Sequence, residues 1–422
     1  MRATTPASWP RHWLRWTLAV STVTAACTLL LWPAKDHQRE PATSSAPASR
    51  SDIAVAPPSL PAVVPQPRTA ARSMLVAIEP TPALDRSEVE VCGFGRVSLP
   101  ADDPSALQRV PPALRRAALE QADAMMLASD DAQVRAAALL LGARAGGADA
   151  HARIESVARL AIASQDATVY AIALQACKAQ SADGSACQLL SRAQWARLDP
   201  DNALPWLELA AEAQAQQQAS ELEADAMRHA ALAQRSDVHM GLLPQLVERA
   251  LGAASPLQRT LALAESWSAQ AAWTSAHSTQ AYAYCMSDTA DDGTRAATCD
   301  ALADTLARRG ASLTDMGTGL AIAKHLNWTA QRLQALQQEH DAISETSGIQ
   351  DFGQDWSCDA VTRLQDWTRQ LAQHGEVQAM RGVLAHSGRS VEQWSAQHRK
   401  NIAVAMAATE AATSVAPGEA VP

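Results

Sequence analysis

A chain of 422 residues that is 47% apolar yet has only two Phe and three Tyr must build its interior from Ala and Leu, which favours helices and excludes a large sheet. The formal net charge is −9, and because residues 1–40 carry +3 the remainder carries −12. The four lysines are isolated and the arginines are interleaved with Asp and Glu, so the clustered cations that neutralise phosphates are missing and nucleic acid is excluded as a partner.

Arg2, Arg11 and Arg15 precede an uncharged run of 19 residues from Trp16 to Ala34. As a helix rising about 1.5 Å per residue it is about 28 Å long, close to the roughly 30 Å of a hydrocarbon core. Trp9, Trp13 and Trp16 stand at one end and Trp32 at the other, where indole rings favour the interface, and the arginines hold residues 1–15 in the cytoplasm. A cleaved signal peptide shares this pattern. However, Leu30, Leu31 and Trp32 stand where a signal peptidase needs small residues, so 16–34 is expected to remain as a transmembrane helix. Thr24-Ala25-Ala26-Cys27 is similar to a lipoprotein box that lacks its leading Leu. Residues 35–86 are expected to be a disordered linker: nine prolines fall between 41 and 82 among Ala, Ser and Val, a composition that buries no core and favours polyproline II. The expected address is a bacterial inner membrane, crossed once, with the C-terminal domain in the periplasm.

Residues 87–103 form a short segment around Cys92 with a brief apolar alternation. Its Gly93-Phe94-Gly95 lacks the third glycine and the following helix of a dinucleotide loop and predicts only a tight turn. From 104 to 412, short amphipathic segments separated by Gly, Pro, Asp and Asn predict helix hairpins, with 413–422 as a disordered tail. Asp102-Asp103, Asp130-Asp131 and Asp291-Asp292 each precede a helical pattern, where a carboxylate caps free N–H groups and opposes the helix dipole. Val361, Leu364, Thr368 and Leu371, with Trp367 beside them, follow 3, 4, 3 spacing and give one helix an apolar face.

Six cysteines lie outside the hydrophobic run, and none has the CxxC spacing of a zinc or redox site, so disulfides are expected. Cys177 and Cys187 flank one polar turn and Cys285 and Cys299 another. A helix end and the next helix start can bring Cα atoms within the roughly 4.4 to 6.8 Å that a disulfide needs. Cys92 is left for Cys358 by elimination. The runs from Tyr170 to Cys187 and from Tyr282 to Cys299 read as two distant copies of one module.

The run Leu198-Asp199-Pro200-Asp201-Asn202-Ala203, followed by Trp206, Leu209 and Ala210, resembles the junction between two tetratricopeptide repeats. The resemblance covers 198–231, one repeat of about 34 residues. It implies that Asp199 and Pro200 end one helix, that Trp206 and Leu209 begin the packing face of the next, and that Trp206 is buried against the helix containing Trp195. Leu222 and Ala226 depart from the repeat pattern, and the Gln-rich stretch at 214–218 suggests a longer first helix. The implied fold is all-α: stacked helix hairpins in a tetratricopeptide-like superhelix.

Glu155-Ser156 and Glu265-Ser266 resemble the catalytic Glu-Ser pair of soluble lytic transglycosylases, but neither is followed by the Gly-Leu-Met-Gln or Asn-Ala-Gly runs of that family. There is no P-loop, HExxH or GxSxG, and no Lys has Ser three residues before it. His340 shares a helical face with Leu333, Leu336 and Ile343 and reads as a packed residue, and the tryptophans from Trp267 to Trp394 read as core rather than as a sugar or peptide groove. No catalytic residue, metal or cofactor is expected. The chain is expected to be a membrane-anchored periplasmic module for interaction or assembly, its extended face receiving a protein or peptide partner of the cell envelope. The alternative is an envelope enzyme acting on peptidoglycan.

Overall fold

Sequences rich in Ala and Leu wind into helices almost throughout the computed structural model, which describes residues 88–99, 105–178, 185–216, 220–273, 277–287, 293–347 and 355–414, with the side chains of 220, 347 and 408–414 outside that description. The expected transmembrane helix 16–34 and linker 35–86 lie outside the described residues, as do Asp102-Asp103 and Asp291-Asp292. Among the described residues no helix is long and apolar enough to cross a membrane.

The brief alternation near Cys92 is a two-stranded antiparallel hairpin, β1 (Glu88–Val91) and β2 (Gly95–Ser98), with Val91 opposite Gly95. Gly93 in its turn has φ +80°, and a Cβ there would strike the backbone of Pro256 and Leu257, so only glycine lets the hairpin sit so close. The helices that follow are α1 (Pro112–Leu127), α2 (Ala132–Ala145), α3 (Ala150–Ser164), α4 (Ala167–Cys177), α5 (Arg192–Leu198), α6 (Ala203–Ala215) and α7 (Ser220–Leu232). The second half holds α8 (Leu242–Ala250), α9 (Pro256–Ala271), α10 (His277–Met286), α11 (Gly293–Arg309), α12 (Leu313–His325), α13 (Ala330–Ser347), α14 (Cys358–His386) and α15 (Val391–Ser414). Helix α15 thus runs past 412 into what was expected to be the tail, and α6 stops at Ala215 with Gln216 as its cap, so the Gln-rich stretch does not lengthen it.

Short polar side chains set the helix starts. Asp131 accepts from the Gln133 and Val134 amides at 2.8 and 3.5 Å, and Asp166 accepts from Thr168 and Val169 at 2.8 and 2.9 Å. Ser255 and Gln258 close a capping box at the start of α9. The apolar stripe on α14 is buried at Val361, Leu364, Thr368 and Leu371, with Trp367 half-buried beside it.

Consecutive helices pack in pairs, α1 on α2, α2 on α3, α3 on α4, α5 on α6, α6 on α7, α8 on α9, α11 on α12 and α12 on α13. In an open repeat array each unit touches only its neighbours. Here the α8–α9 hairpin returns onto α2 and α1, α14 packs on α8, and α7 passes over three helices to reach α11. Two main cores result. One joins α1–α4 with α8 and α9 around Val134, Ile172, Leu243 and Leu246; the other joins α6, α7 and α10–α15 around Leu207, Leu302, Met316 and Ile343. Helix α6 faces both, Leu204 entering the first core and Leu207 the second.

Candidate functional site

The turn between α5 and α6 is where the resemblance to a repeat junction falls, and the structure builds it around Asn202. This side chain is fully buried, and its Oδ1 accepts from the Leu204 amide at 3.2 Å, capping α6, and from the Asp237 amide at 2.9 Å. Its Nδ2 donates to Asp199 Oδ2 at 2.9 Å and to the Asp237 carbonyl at 3.2 Å, so all four positions of the amide are used. Asp199 is buried as well and receives Arg235, and the Ala203 amide donates to the Arg235 carbonyl at 2.8 Å. The Asp199-Pro200 turn is thereby knitted to the segment that follows α7. Leu209 is buried in the second core.

Trp206 departs from expectation. It is half-buried rather than packed against Trp195, which belongs to the other core. Its ring stacks on His229 of α7 with centroids 4.2 Å apart and planes 14° apart, and its Nε1 donates to the Pro200 carbonyl at 3.0 Å. The hydrogen bond turns the indole outward over α7. Leu222, His229 and Leu232 follow at i, i+7 and i+10 along the same side of α7. Leu232 is 77% exposed and Leu222 37%.

The sulfur pairs are Cys177–Cys187, Cys285–Cys299 and Cys92–Cys358, with Cα separations of 5.7, 5.6 and 4.6 Å. The two local pairs differ in setting. Cys187 lies in a single 3-10 turn, Ala186–Leu189, at the edge of the first core, whereas Cys299 sits well inside the 17-residue α11, buried in the second. The long-range pair is reinforced by the backbone, since the Cys92 amide donates to the Trp356 carbonyl at 2.8 Å.

Glu155 accepts from the Ala186 amide at 3.0 and 3.1 Å through its two oxygens and pairs with exposed Arg159, so it anchors the turn that carries Cys187. Glu265 is exposed on α9, and the Ser266 hydroxyl donates to the Leu263 carbonyl. The two Glu-Ser pairs occupy unlike settings. The tryptophans after 266 are half-buried or buried, and four spend their N–H or ring on internal partners. Trp267 donates to Thr368 at 3.2 Å, Trp328 to Asp300 at 2.6 Å and Trp394 to Ser387 at 2.9 Å, while Trp273 lies tilted beside His239. His340 is half-buried, and burial holds its pKa below the ordinary imidazole value.

A polar centre that the sequence did not reveal lies where three segments meet. Asp315 of α12 is fully buried; its Oδ1 meets His277 Nε2 at 2.6 Å and its Oδ2 accepts from the Ser236 hydroxyl at 2.9 Å. Ser278 meets the same imidazole nitrogen at 3.0 Å. Both the hydroxyl and the carboxylate therefore address one nitrogen, which is not the relay of a serine hydrolase, where the two ring nitrogens are used separately. The backbone is stitched around this centre: the Ala311 amide donates to Ser236 O at 2.7 Å and Val377 N donates to Ala311 O at 3.1 Å. Gly375, at φ +76°, breaks α14 there, and a Cβ on it would lie 2.7 Å from that of Ala311. Glu376 accepts from the Leu313 amide at 2.8 Å, and burial, with Asp315 nearby, raises its pKa. Another carboxyl, Glu248 of α8, has a buried Oε1 without a hydrogen-bond partner, and burial pushes its pKa up to about 7. Compared with known proteins, the chain matches no protein-family profile, no curated protein and no solved structure.

Proposed function

We propose that the chain is a membrane-anchored module of the bacterial cell envelope, held by 16–34 and the 35–86 linker, whose periplasmic helices bind a protein or peptide partner. The α6–α7 hairpin acts as a degenerate tetratricopeptide-like repeat, and the partner docks along Trp206, Leu222, His229 and Leu232. The observation that carries this reading is the exposure of Leu232, 77%, beside an aromatic stack that is already ordered. A large apolar side chain left in water next to a rigid ring gains most when a partner covers it. Asp225 and Arg228, paired at 2.8 Å, supply a polar rim.

A photo-crosslinking residue placed at Leu232 in the full chain, in its native envelope, tests the face. A discrete heterologous product is expected there and not with the same residue at exposed Glu265. Products at Glu265 and none at Leu232 would remove this face from the proposal. Alkaline phosphatase fused after residue 412 tests the address and is expected to be active.

A further inference from the structure

Three of the places where the described chain passes between the two cores converge on the buried Asp315 centre. Helix α7 packs in the second core and α8 in the first, so the chain crosses through 234–241, the segment that carries Ser236. It crosses back between α9 and α10 and arrives on His277, the first residue of α10. Helix α14 makes the third crossing: Val361 and Leu364 of its first half lie with Leu263 of α9, whereas Val377, Met380 and Leu384 of its second half lie in the second core. Between the halves stands Gly375, where the helix is broken. Another crossing, α6, is an unbroken helix with a side chain in each core. Pliant links beside a rigid one make a hinge, with α6 as its pivot.

What fastens this hinge is polar. Glu376, half-buried just past the break, accepts from the Leu313 amide at 2.8 Å, and Val377 N donates to Ala311 O at 3.1 Å, so α14 is pinned to the start of α12. That place already holds Asp315, paired with His277. The cations of the adjoining segments are engaged elsewhere: Arg309 donates to the Ala233 carbonyl at 3.2 Å, Arg381 to Glu339 at 2.7 Å, and Arg235 is bonded to Asp199. Burial is the largest influence on Glu376 and raises its pKa from the ordinary 4.5; the Leu313 amide works against this, and Asp315 adds to it. Ionised, Glu376 is a second carboxylate in a place short of water, and moving it into solvent relieves the repulsion. We propose that the Asp315 junction is a pH-operated hinge: with Glu376 protonated the two cores are clamped, and its ionisation swings the second half of α14 away from α12 about Gly375, so that the cores reorient on α6. The clamped form keeps its proton to higher pH than a solvated carboxyl does. Closure is therefore complete below 4.5 and is lost as pH rises, each unit shifting the closed-to-open ratio by up to about tenfold until the raised pKa is passed. The hinge does not rest on the Leu232 face.

The test is an electron–electron distance measurement on the full chain, with nitroxides carried by unnatural residues at exposed Glu265 of α9 and exposed Ala297 of α11, one on each core. From about pH 5 to about pH 8 a second distance population is expected to grow reversibly while far-UV circular dichroism stays constant. Glu376→Gln, which cannot ionise, is expected to keep the single low-pH distance throughout, and Glu248→Gln to respond like the parent. Amide exchange at Leu313 and Val377, corrected for its intrinsic pH dependence, is expected to rise with pH in the parent and not in Glu376→Gln. A parent distance that does not change, a Glu376→Gln variant that changes with the parent, a response abolished by Glu248→Gln, or a change that comes only with loss of helix would each overturn the hinge. Should Glu376→Gln fail to fold, the parent's distances and exchange, with Glu248→Gln beside them, decide.

Discussion

Asn202 and Asp237 exchange two hydrogen bonds across 35 residues of chain, amide to backbone at 2.9 and 3.2 Å, and so lock the turn before α6 to the loop after α7. Asn202→Ala removes a helix cap and leaves the half-buried backbone groups of Asp237 without their Asn202 partner, for an expected loss of about 2 kcal/mol. Asn202→Asp keeps the cap oxygen but sets a carboxylate against Asp199 and the Asp237 carbonyl, so it is expected to cost more. Urea denaturation of both variants decides this. An Asp variant as stable as the Ala variant would mean that the cap, not the link to Asp237, carries the junction.

Trp206 is half-buried, so its removal is expected to cost less than the roughly 3 to 5 kcal/mol of a large core truncation. Losing the stack on His229 and the bond to Pro200 amounts to about 2 kcal/mol. Trp206→Phe keeps the stack and is expected to lose only about 1 kcal/mol. Thermal melts of the two variants measure the difference, and equal losses would show that the stacking contributes nothing.

What could be read from the sequence was local. The spacing of Val361, Leu364, Thr368 and Leu371 reports one helix face, and the polar turns between Cys177 and Cys187 and between Cys285 and Cys299 limit which sulfurs can meet. Asp131 caps its helix because the donors are its immediate neighbours. The interior polar centres were not legible because their partners are distant in the chain: Ser236 meets Asp315 from 79 residues away and His277 from 38. Trp206 was misread for a related reason. The hydrogen bond to Pro200 that turns its ring outward depends on the shape of the turn, which side-chain periodicity does not encode. The return of α8 and α9 onto α2 and α1 is likewise a matter of shape complementarity between Ala-rich faces that look alike in sequence.

Glu248 makes stability fall as pH rises. Its folded pKa is pushed up to about 7 from 4.5, because burial outweighs the attraction of Arg369, whose guanidinium is bonded to Asp366 at 2.8 Å. Between those two values the unfolded chain has released the proton while the folded chain retains it, so each step up in pH favours unfolding. Glu248→Gln is expected to flatten that part of the curve and to raise the melting temperature at pH 8. Parent and variant profiles that stay parallel from pH 4.5 to 7 would contradict this environment for Glu248. His340, lowered by burial, acts in the opposite sense below its ordinary value, which is why the difference between the two profiles is the quantity to measure.

The Cys92–Cys358 bond closes a loop with a sequence separation of 266, against 10 for Cys177–Cys187. Chain entropy assigns about 5 kcal/mol to the first and about 3 kcal/mol to the second. The Cys92→Ser/Cys358→Ser variant is therefore expected to unfold at lower denaturant than Cys177→Ser/Cys187→Ser. The reverse order would show that the β hairpin is held by its apolar contacts with Leu257, Leu261 and Trp356 rather than by the sulfur bridge.

Asp315 and His277 meet at 2.6 Å inside the second half of the fold, where Ser236 supplies the other hydrogen bond to the carboxylate. Such a buried pair gives little net stability over a packed apolar pair, but breaking it strands the survivor, and each single change is expected to cost about 3 to 5 kcal/mol. Asp315→Asn leaves an amide facing the imidazole and Ser236, and His277→Gln leaves the carboxylate with Ser236 and the crowding of Glu376. The double variant removes both ends at once, so its loss is expected to be smaller than the sum of the singles by about 1 to 3 kcal/mol. The cycle is measured by urea denaturation at a single pH. Because the Ser236, Ala311 and Val377 backbones join at this point, the single variants are also expected to speed amide exchange at Ala311 and Val377 ahead of global unfolding. Additive losses, with exchange at those amides unchanged, would show that the backbone stitching holds the three segments together without the Asp315 carboxylate.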